Sequence, residues 1–190
     1  NPARVMYVTG QGIWASEDAD EADKDKPTHW TFLDRGLEET VVHGLVSPPA
    51  GPPLLSVMGD LCGFRHDDLN APSAGGMFNN PICGSGTGID IAWGKPDVVA
   101  RVGWPGYTDK QWGGVSVDGG KTWKAFKTQP KNGKGAGNVA VAADGSVIVY
   151  APKDGEVVFS KDEGATWTRC EGLPDVESTA DWAPAYMRPA

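Results

Sequence analysis

The sequence predicts an all-β protein built from consecutive four-stranded antiparallel sheets. Three observations support this prediction: frequent glycine and proline, short Val-rich or alternating segments between turn signals, and an octet of residues that occurs twice. The 26 glycines and 15 prolines occupy 41 of the 190 positions, whereas their average share is about 12%. Because both residues interrupt helices, this density leaves little room for long helical segments.

The repeated octet is Ser-x-Asp-x-Gly-x-Thr-Trp, and its two copies start 44 residues apart, at 116 and 160. One blade of a β-propeller has about 40–50 residues. We predict that the octet, an Asp box, is a structural turn between the third and fourth strands of a blade. Its oxygens bond the turn backbone, its glycine is left-handed and its tryptophan packs on neighbouring strands; a ligand site on either aspartate is the less favoured alternative. The positions are Ser116, Asp118, Gly120, Thr122 and Trp123, then Ser160, Asp162, Gly164, Thr166 and Trp167.

Short segments between Gly, Pro or Asp-Gly turns predict the strands of each blade. The two complete blades have predicted strands at 88–93, 98–104, 112–116 and 121–127, and at 137–142, 146–151, 156–160 and 165–170. Upstream, strands are predicted at 5–8, 12–16 and 29–32, and at 40–46 and 54–58. The predicted blades are therefore 1–35, 36–87, 88–130 and 131–175, with 176–190 as the start of a next blade or a tail. All of them belong to one partial propeller.

A degenerate octet interrupts the first of these blades. Ser16-Glu17-Asp18 is followed by Trp30 only after an acidic run from Glu17 to Asp25. We predict that this run is a solvated loop, because like charges repel one another and favour exposure.

Composition excludes several classes of function. The formal net charge of −8 comes without a basic stripe, which argues against a nucleic-acid partner. The sequence has no stretch of 18 apolar residues, so we expect no membrane span. We also predict no metal and no cofactor, since the three cysteines lack metal-ligand spacing. The chain starts at Asn1 rather than Met, as expected for a processed chain, a segment or a fragment.

Cys62 and Cys83 flank a loop rich in Gly, Pro and Asn and are candidates for a disulfide. Such a bond fits a secreted, extracellular protein, and Cys170 would then remain an unpaired thiol. Three reduced and buried thiols are the alternative.

The irregular segment 59–88 is the first place to look for chemistry, because long loops without secondary structure are usually functional. Asp60 opens this segment directly after an apolar strand, and from the residues alone a turn aspartate is the simplest interpretation. His66, Asp67 and Asp68 either position substrate, bind a cation or form a solvated turn; the turn is favoured, because one His with two Asp is weak evidence for a metal site. Glu38 and Glu39 do not form a dyad, because neighbouring strand residues point to opposite faces.

The block from Glu38-Glu39-Thr40 to Gly59-Asp60-Leu61-Cys62-Gly63-Phe64-Arg65-His66-Asp67-Asp68 resembles glycoside hydrolase family 74, the xyloglucan-active β-1,4-glucanases. Val5-Met6-Tyr7-Val8-Thr9-Gly10 and Val99-Ala100-Arg101-Val102-Gly103 are also similar to this family. The resemblance implies two seven-bladed propellers with a substrate cleft between them, and hydrolysis with inversion by one carboxylate from each propeller. This chain would then be part of the C-terminal propeller, with the remaining blades of the enzyme as its partners.

The resemblance implies that Asp60 is the general acid. Its neighbours Met58, Leu61 and Phe64 are expected to favour the protonated carboxyl that donates to the glycosidic oxygen. The family's base lies in an Asp-Ile-Gly-Gly motif that this sequence lacks, so the base is expected outside the chain. The predicted substrate is xyloglucan or a related plant cell-wall β-glucan.

Aromatic residues outside the octets are candidates for stacking on sugar rings. The candidate substrate-binding residues are Phe64, His66, Trp93, Trp104 and Trp112, with Tyr107 as a further aromatic candidate. Packing between blades is the alternative for each tryptophan. A non-catalytic propeller fragment that binds carbohydrate or protein is the second functional hypothesis.

Overall fold

The computed structural model describes residues 3–10, 12–35, 40–106, 111–131 and 133–173. It divides into two compact units, Asn1–Val41 and Val42–Ala190, which are considered separately. Tyr107, Glu38 and Glu39, three residues weighed for function, lie outside the described residues.

In the first unit, the described residues form one antiparallel sheet of three strands. These are β1 (Val5–Thr9), β2 (Gly12–Ser16) and β3 (Thr31–Phe32), in the order β1-β2-β3. Between β2 and β3 the acidic run forms a 3₁₀ helix, Ala19–Lys24, where a loop was predicted. Lys24 lies 2.6 Å from Glu21 and 3.7 Å from Asp20, and these ion pairs offset the repulsion between the acidic side chains.

The described residues of the second unit form three antiparallel sheets. The first has the order β4-β5-β6, and each of the other two has four strands, in the orders β10-β9-β8-β7 and β11-β12-β13-β14. The strands are β4 (Val42–Val46), β5 (Leu54–Met58), β6 (Phe64–His66), β7 (Cys83–Ile91), β8 (Val99–Pro105), β9 (Gly113–Ser116), β10 (Lys124–Ala125), β11 (Asn138–Val141), β12 (Ile148–Ala151), β13 (Val158–Ser160) and β14 (Thr168–Arg169). The predicted all-β fold with four-stranded antiparallel sheets is confirmed.

The segment 59–88 is less irregular than predicted, because it contains β6 and the first residues of β7. The start of β7 reads Cys-Gly-Ser-Gly-Thr-Gly, and glycine is depleted in strands. At Gly86 a β-carbon would lie 2.1 Å from the Cys62 carbonyl oxygen. Glycine is required there for close approach of another backbone, and a composition-based prediction mistakes such a strand for a loop.

The hydrophobic core of the second unit lies between successive sheets. One cluster joins Leu55 and Val57 to Ile91 and Val99; another joins residues such as Val102 and Phe126 to Val139, Val141 and Tyr150. Each sheet therefore packs its face on the next one, which is the arrangement of propeller blades. Among the described residues, no helix is long and apolar enough to cross a membrane.

Candidate active site

The sheets of the second unit have two ends with different chemistry. Strand β5 leads into Asp60, whose backbone N–H donates to Ser85 Oγ at 2.9 Å near the start of β7. Strand β7 runs away from this point, β8 returns and β9 runs away again into the octet at 116–123. We call the two ends the Asp60 end and the octet end. Arg65, near the close of β6, donates to the Gly119 carbonyl at the octet end.

Both octets form closed hydrogen-bonded turns. Ser116 Oγ donates to Asp118 Oδ1 at 2.7 Å, and Thr122 donates its N–H to Oδ1 and its hydroxyl to Oδ2. In the second copy Ser160 and Thr166 bond Asp162 in the same way, at 2.7–2.8 Å. The bonds from Thr166 and Ser160 lower the pKa of Asp162 to about 2. Both oxygens of each carboxylate are therefore engaged inside the turn.

The octet tryptophans pack against the preceding sheet or its loops. Trp123 lies 4.9 Å from the Phe78 ring and Trp167 lies 5.1 Å from the Phe126 ring. This packing, with the closed hydrogen bonds, supports a structural role for both octets.

The first unit contains the degenerate version of this turn. Ser16 Oγ donates to Asp18 Oδ1 at 2.9 Å, as in the octets. His29, the residue before Trp30, replaces the threonine: its N–H donates to Asp18 Oδ1 and its Nδ1 lies 2.7 Å from Oδ2. The bonds from His29 lower the pKa of Asp18 to about 2. An insertion inside the octet thus preserves its hydrogen bonds.

The turn at 59–63, which we call the Asp60 turn, is held by contacts with residues of strand β7. Besides the bond to Ser85, the Gly86 N–H donates to the Leu61 carbonyl at 2.9 Å. A disulfide joins Cys62 to Cys83. Asp60 itself has φ +61°, a left-handed conformation that costs a residue other than glycine about 1–2 kcal/mol. Three contacts from β7 hold this conformation.

The Asp60 side chain is exposed. Within the described residues, no hydrogen bond or ion pair engages its carboxylate. Met58 is buried in the sheet whereas Asp60 is exposed, and the expected influence of Met58, Leu61 and Phe64 on the carboxyl group stays a prediction.

A buried arginine lies beneath the disulfide. One Arg101 Nη donates to Cys62 Sγ at 3.0 Å and the other to the carbonyls of Asn79 and Pro81 at 2.8 and 2.7 Å. Its guanidinium lies 4.6 Å from the Trp123 ring, and burial lowers its pKa to about 9. Sequence reasoning missed this brace; the signal was a charged residue within the apolar strand Val99-Ala100-Arg101-Val102.

Two of the predicted sugar-binding tryptophans lie at the Asp60 end. Trp104 pairs with Ser85 across the sheet and is half-buried, with Lys153 Nζ 4.9 Å from its ring. The Trp112 carbonyl accepts from the Gly103 N–H at 2.7 Å, and its half-buried side chain packs against the core. Phe64 starts β6, just after the Asp60 turn, and is half-buried.

The structure does not bring the other two candidates to Asp60. Ile91 lies six residue steps beyond Ser85 along β7, about 20 Å at roughly 3.3 Å per step. Trp93, which is 57% exposed, lies beyond Ile91, at the octet end. His66 pairs with Leu54 at the far end of β5, and its Nε2 lies 2.9 Å from Ser56 Oγ. Both are candidates for substrate binding by residue type, and sequence order alone does not reveal at which end of its sheet a residue lies.

The acidic residues after His66 act within their own loop. Arg65 donates to the Asp67 carboxylate from Nε at 3.1 Å and from an Nη at 2.6 Å, and Asp68 Oδ1 accepts from the Asn70 N–H at 2.8 Å. Within the described ranges, no three His, Cys, Asp or Glu side chains are grouped to hold a metal ion. A cavity of about 270 Å³ lies beside this loop and the first octet, lined by Arg65, Lys121 and Trp123 among others.

Successive antiparallel sheets of three or four strands, packed face to face, define the blades of a β-propeller. No family model matches the chain. It is 37% identical over 174 residues to a xyloglucanase of Paenibacillus sp., covering 90% of this chain and 17% of that protein. A xyloglucanase of Acetivibrio thermocellus is 36% identical over 173 residues, covering 91% of this chain and 20% of that protein.

Among solved structures, the GH74 xyloglucanase of Xanthomonas campestris matches with a TM-score of 0.73 and 41% identity, over 92% of this chain and 25% of that one. The resemblance to glycoside hydrolase family 74 that the sequence implied is confirmed, since about nine tenths of this chain is similar to xyloglucanases. It spans about a fifth of the length of the curated relatives it matches.

Proposed function

We propose that this chain supplies the general acid, Asp60, to an enzyme that hydrolyses the β-1,4-glucan backbone of xyloglucan with inversion. The single observation that carries this proposal is the contrast at Asp60. Its backbone is fastened by Ser85 and Gly86, while its exposed carboxylate has no partner in the described part of the chain. A proton donor needs a fixed position and a free carboxyl group.

The chemistry requires a second carboxylate. Protonated Asp60 gives its proton to the glycosidic oxygen as the bond to the anomeric carbon breaks. A general base, about 6.5–9.5 Å from the acid, takes a proton from the water that attacks the opposite face of the sugar. We assign this base to a part of the enzyme outside the 190 residues, because the family's base motif is absent from the sequence.

The Asp60 end also offers surfaces for sugar rings. Trp104 and Phe64 are half-buried on the strands next to the Asp60 turn, where their rings stack on pyranose C–H groups. The polysaccharide therefore lies across the ends of β6 and β8, and the blades outside this chain form the other wall. A secreted location fits both this substrate and the disulfide between Cys62 and Cys83.

The test uses a hybrid enzyme in which this chain replaces the matching segment of the Xanthomonas campestris xyloglucanase. Reducing ends released from xyloglucan are measured for the hybrid, for Asp60→Asn and for Asp154→Asn. Asp154 is a matched control: it is exposed, has φ +56° and also lies between the second and third strands of its sheet. We expect Asp60→Asn to be inactive and Asp154→Asn to be active. Full activity in Asp60→Asn overturns the proposal.

Binding without cleavage is the second candidate for the chain alone, because it spans only about a fifth of its relatives. Calorimetric titration of the isolated chain with xyloglucan oligosaccharides tests it. Heat of binding that disappears in Trp104→Ala supports a binding segment, and no heat at millimolar ligand excludes one.

A further inference from the structure

Ser85 is the residue whose side chain holds the Asp60 backbone. We propose that Ser85 is a positioning residue: its hydroxyl fixes Asp60 in the left-handed conformation and so leaves the carboxylate free for proton donation. The role in catalysis rests on the proposed function of Asp60. The placement rests on the 2.9 Å bond from the Asp60 N–H to Ser85 Oγ.

The octets show what a serine hydroxyl does in such a turn. Ser116 Oγ accepts the N–H of Asp118, and Ser160 Oγ accepts the N–H of Asp162, each at 3.3 Å. In both octets the same hydroxyl then donates its proton to the carboxylate of that aspartate. In each octet, one serine therefore both holds the backbone of the aspartate and hydrogen-bonds its carboxylate.

Ser85 makes the first of these contacts without the second. Its Oγ accepts the Asp60 N–H, and within the described residues it donates to no carboxylate. The serine comes from the next sheet rather than from two positions earlier in the same turn. Because the serine belongs to a different sheet, it accepts the Asp60 N–H without also donating to the Asp60 carboxylate. The backbone of Asp60 is held while both of its carboxylate oxygens stay without a partner in the described residues.

The shape of β7 accounts for the position of Ser85. The pairing of β7 with β8 shifts register between Cys83 and Ser85 and again between Gly86 and Gly88. Such irregularities are β-bulges, which redirect side chains and are frequent beside active sites. Ser85 lies between the two shifts, opposite Trp104, so the bulges place its hydroxyl at the Asp60 turn.

Amide hydrogen exchange measured by NMR on the chain itself tests the placement. In Ser85→Ala we expect the Asp60 amide to exchange about five to ten times faster, as for the loss of one net hydrogen bond. The Gly86 amide, which bonds the Leu61 carbonyl, should keep its rate, and Ser85→Thr should restore the rate of Asp60. Ser73→Ala is the matched control, because Ser73 is a half-buried serine that bonds the backbone of Arg65 elsewhere. An unchanged Asp60 rate, or an equal acceleration at Gly86, overturns the proposal.

Kinetics of the hybrid enzyme test the consequence for catalysis. We expect Ser85→Ala to lower kcat about fivefold with KM within twofold, and Ser85→Thr to recover kcat. A rise in KM with unchanged kcat overturns the positioning role. If Asp60→Asn keeps full activity, the proposed function fails; if Asp60→Asn is inactive and Ser85→Ala matches the wild type, only the Ser85 proposal fails.

Discussion

The aspartates of the octets and Asp60 all lie in tight turns at the ends of β-strands, yet they use their carboxylates in opposite ways. Asp118 and Asp162 accept bonds on both oxygens from their own turns. Asp60 accepts none within the described residues, and contacts from β7 hold its turn instead. The comparison teaches that the source of the bonds that hold a turn decides whether its carboxylate is structural or available for chemistry.

The largest expected effect comes from removing the free carboxylate. Asp60→Asn in the hybrid should lower xyloglucan hydrolysis by about 10²–10⁴-fold, the usual contribution of a general acid. Its melting temperature should stay unchanged, because no bond to the carboxylate is lost. A large fall in melting temperature would contradict the comparison, since it would show that Asp60 is structural as well.

The disulfide provides the next test, because it holds the Asp60 turn from outside. The double variant Cys62→Ala/Cys83→Ala should lower the free energy of unfolding by about 2–4 kcal/mol. Urea denaturation of the chain measures this change, with Cys170→Ala as the control for removal of a cysteine outside the disulfide. Equal stability of the double variant and the control would show that the turn does not depend on the disulfide.

Substitution of an octet aspartate should lower stability and leave activity unchanged, which is the opposite of the effect expected for Asp60. Asp118→Ala leaves Ser116 Oγ and the Thr122 N–H without their partner, which we expect to cost about 1–3 kcal/mol of unfolding free energy. Activity per folded hybrid molecule should remain that of the wild type. Loss of activity without loss of stability would place Asp118 in the catalytic machinery.

Backbone strain gives a smaller and more specific test. At φ +61°, Asp60→Gly should be more stable than Asp60→Ala by about 1 kcal/mol, because glycine adopts the left-handed conformation without steric cost. Thermal denaturation of the two variants measures the difference. Equal stabilities would mean that Asp60 is not held in this conformation.

The repeats allowed the fold to be predicted from the sequence, whereas the contacts around the candidate site could not be predicted from it. The 44-residue offset of the octets and the strand patterns depend on local residue order, so strands such as Leu54–Met58 were predicted with their observed bounds. The contacts of Ser85, Arg101 and Gly86 with the Asp60 turn depend instead on which strands become neighbours. For the same reason, the sequence could not show that the candidate residues Trp93 and His66 lie toward the opposite end from Asp60.

Acid titration gives the smallest expected effect and concerns the octets alone. The bonds from Thr166 and Ser160 lower the pKa of Asp162 from 3.8 to about 2. A carboxyl whose pKa is lower in the folded state stabilises the fold above its unfolded pKa. The stabilisation from Asp162 should therefore be complete above about pH 4 and decline as the pH falls toward 2. Urea denaturation between pH 5 and 2 should show a shallower decline for Asp162→Asn than for the wild type. An equal decline in the two proteins would show that the turn does not depend on the charge of Asp162.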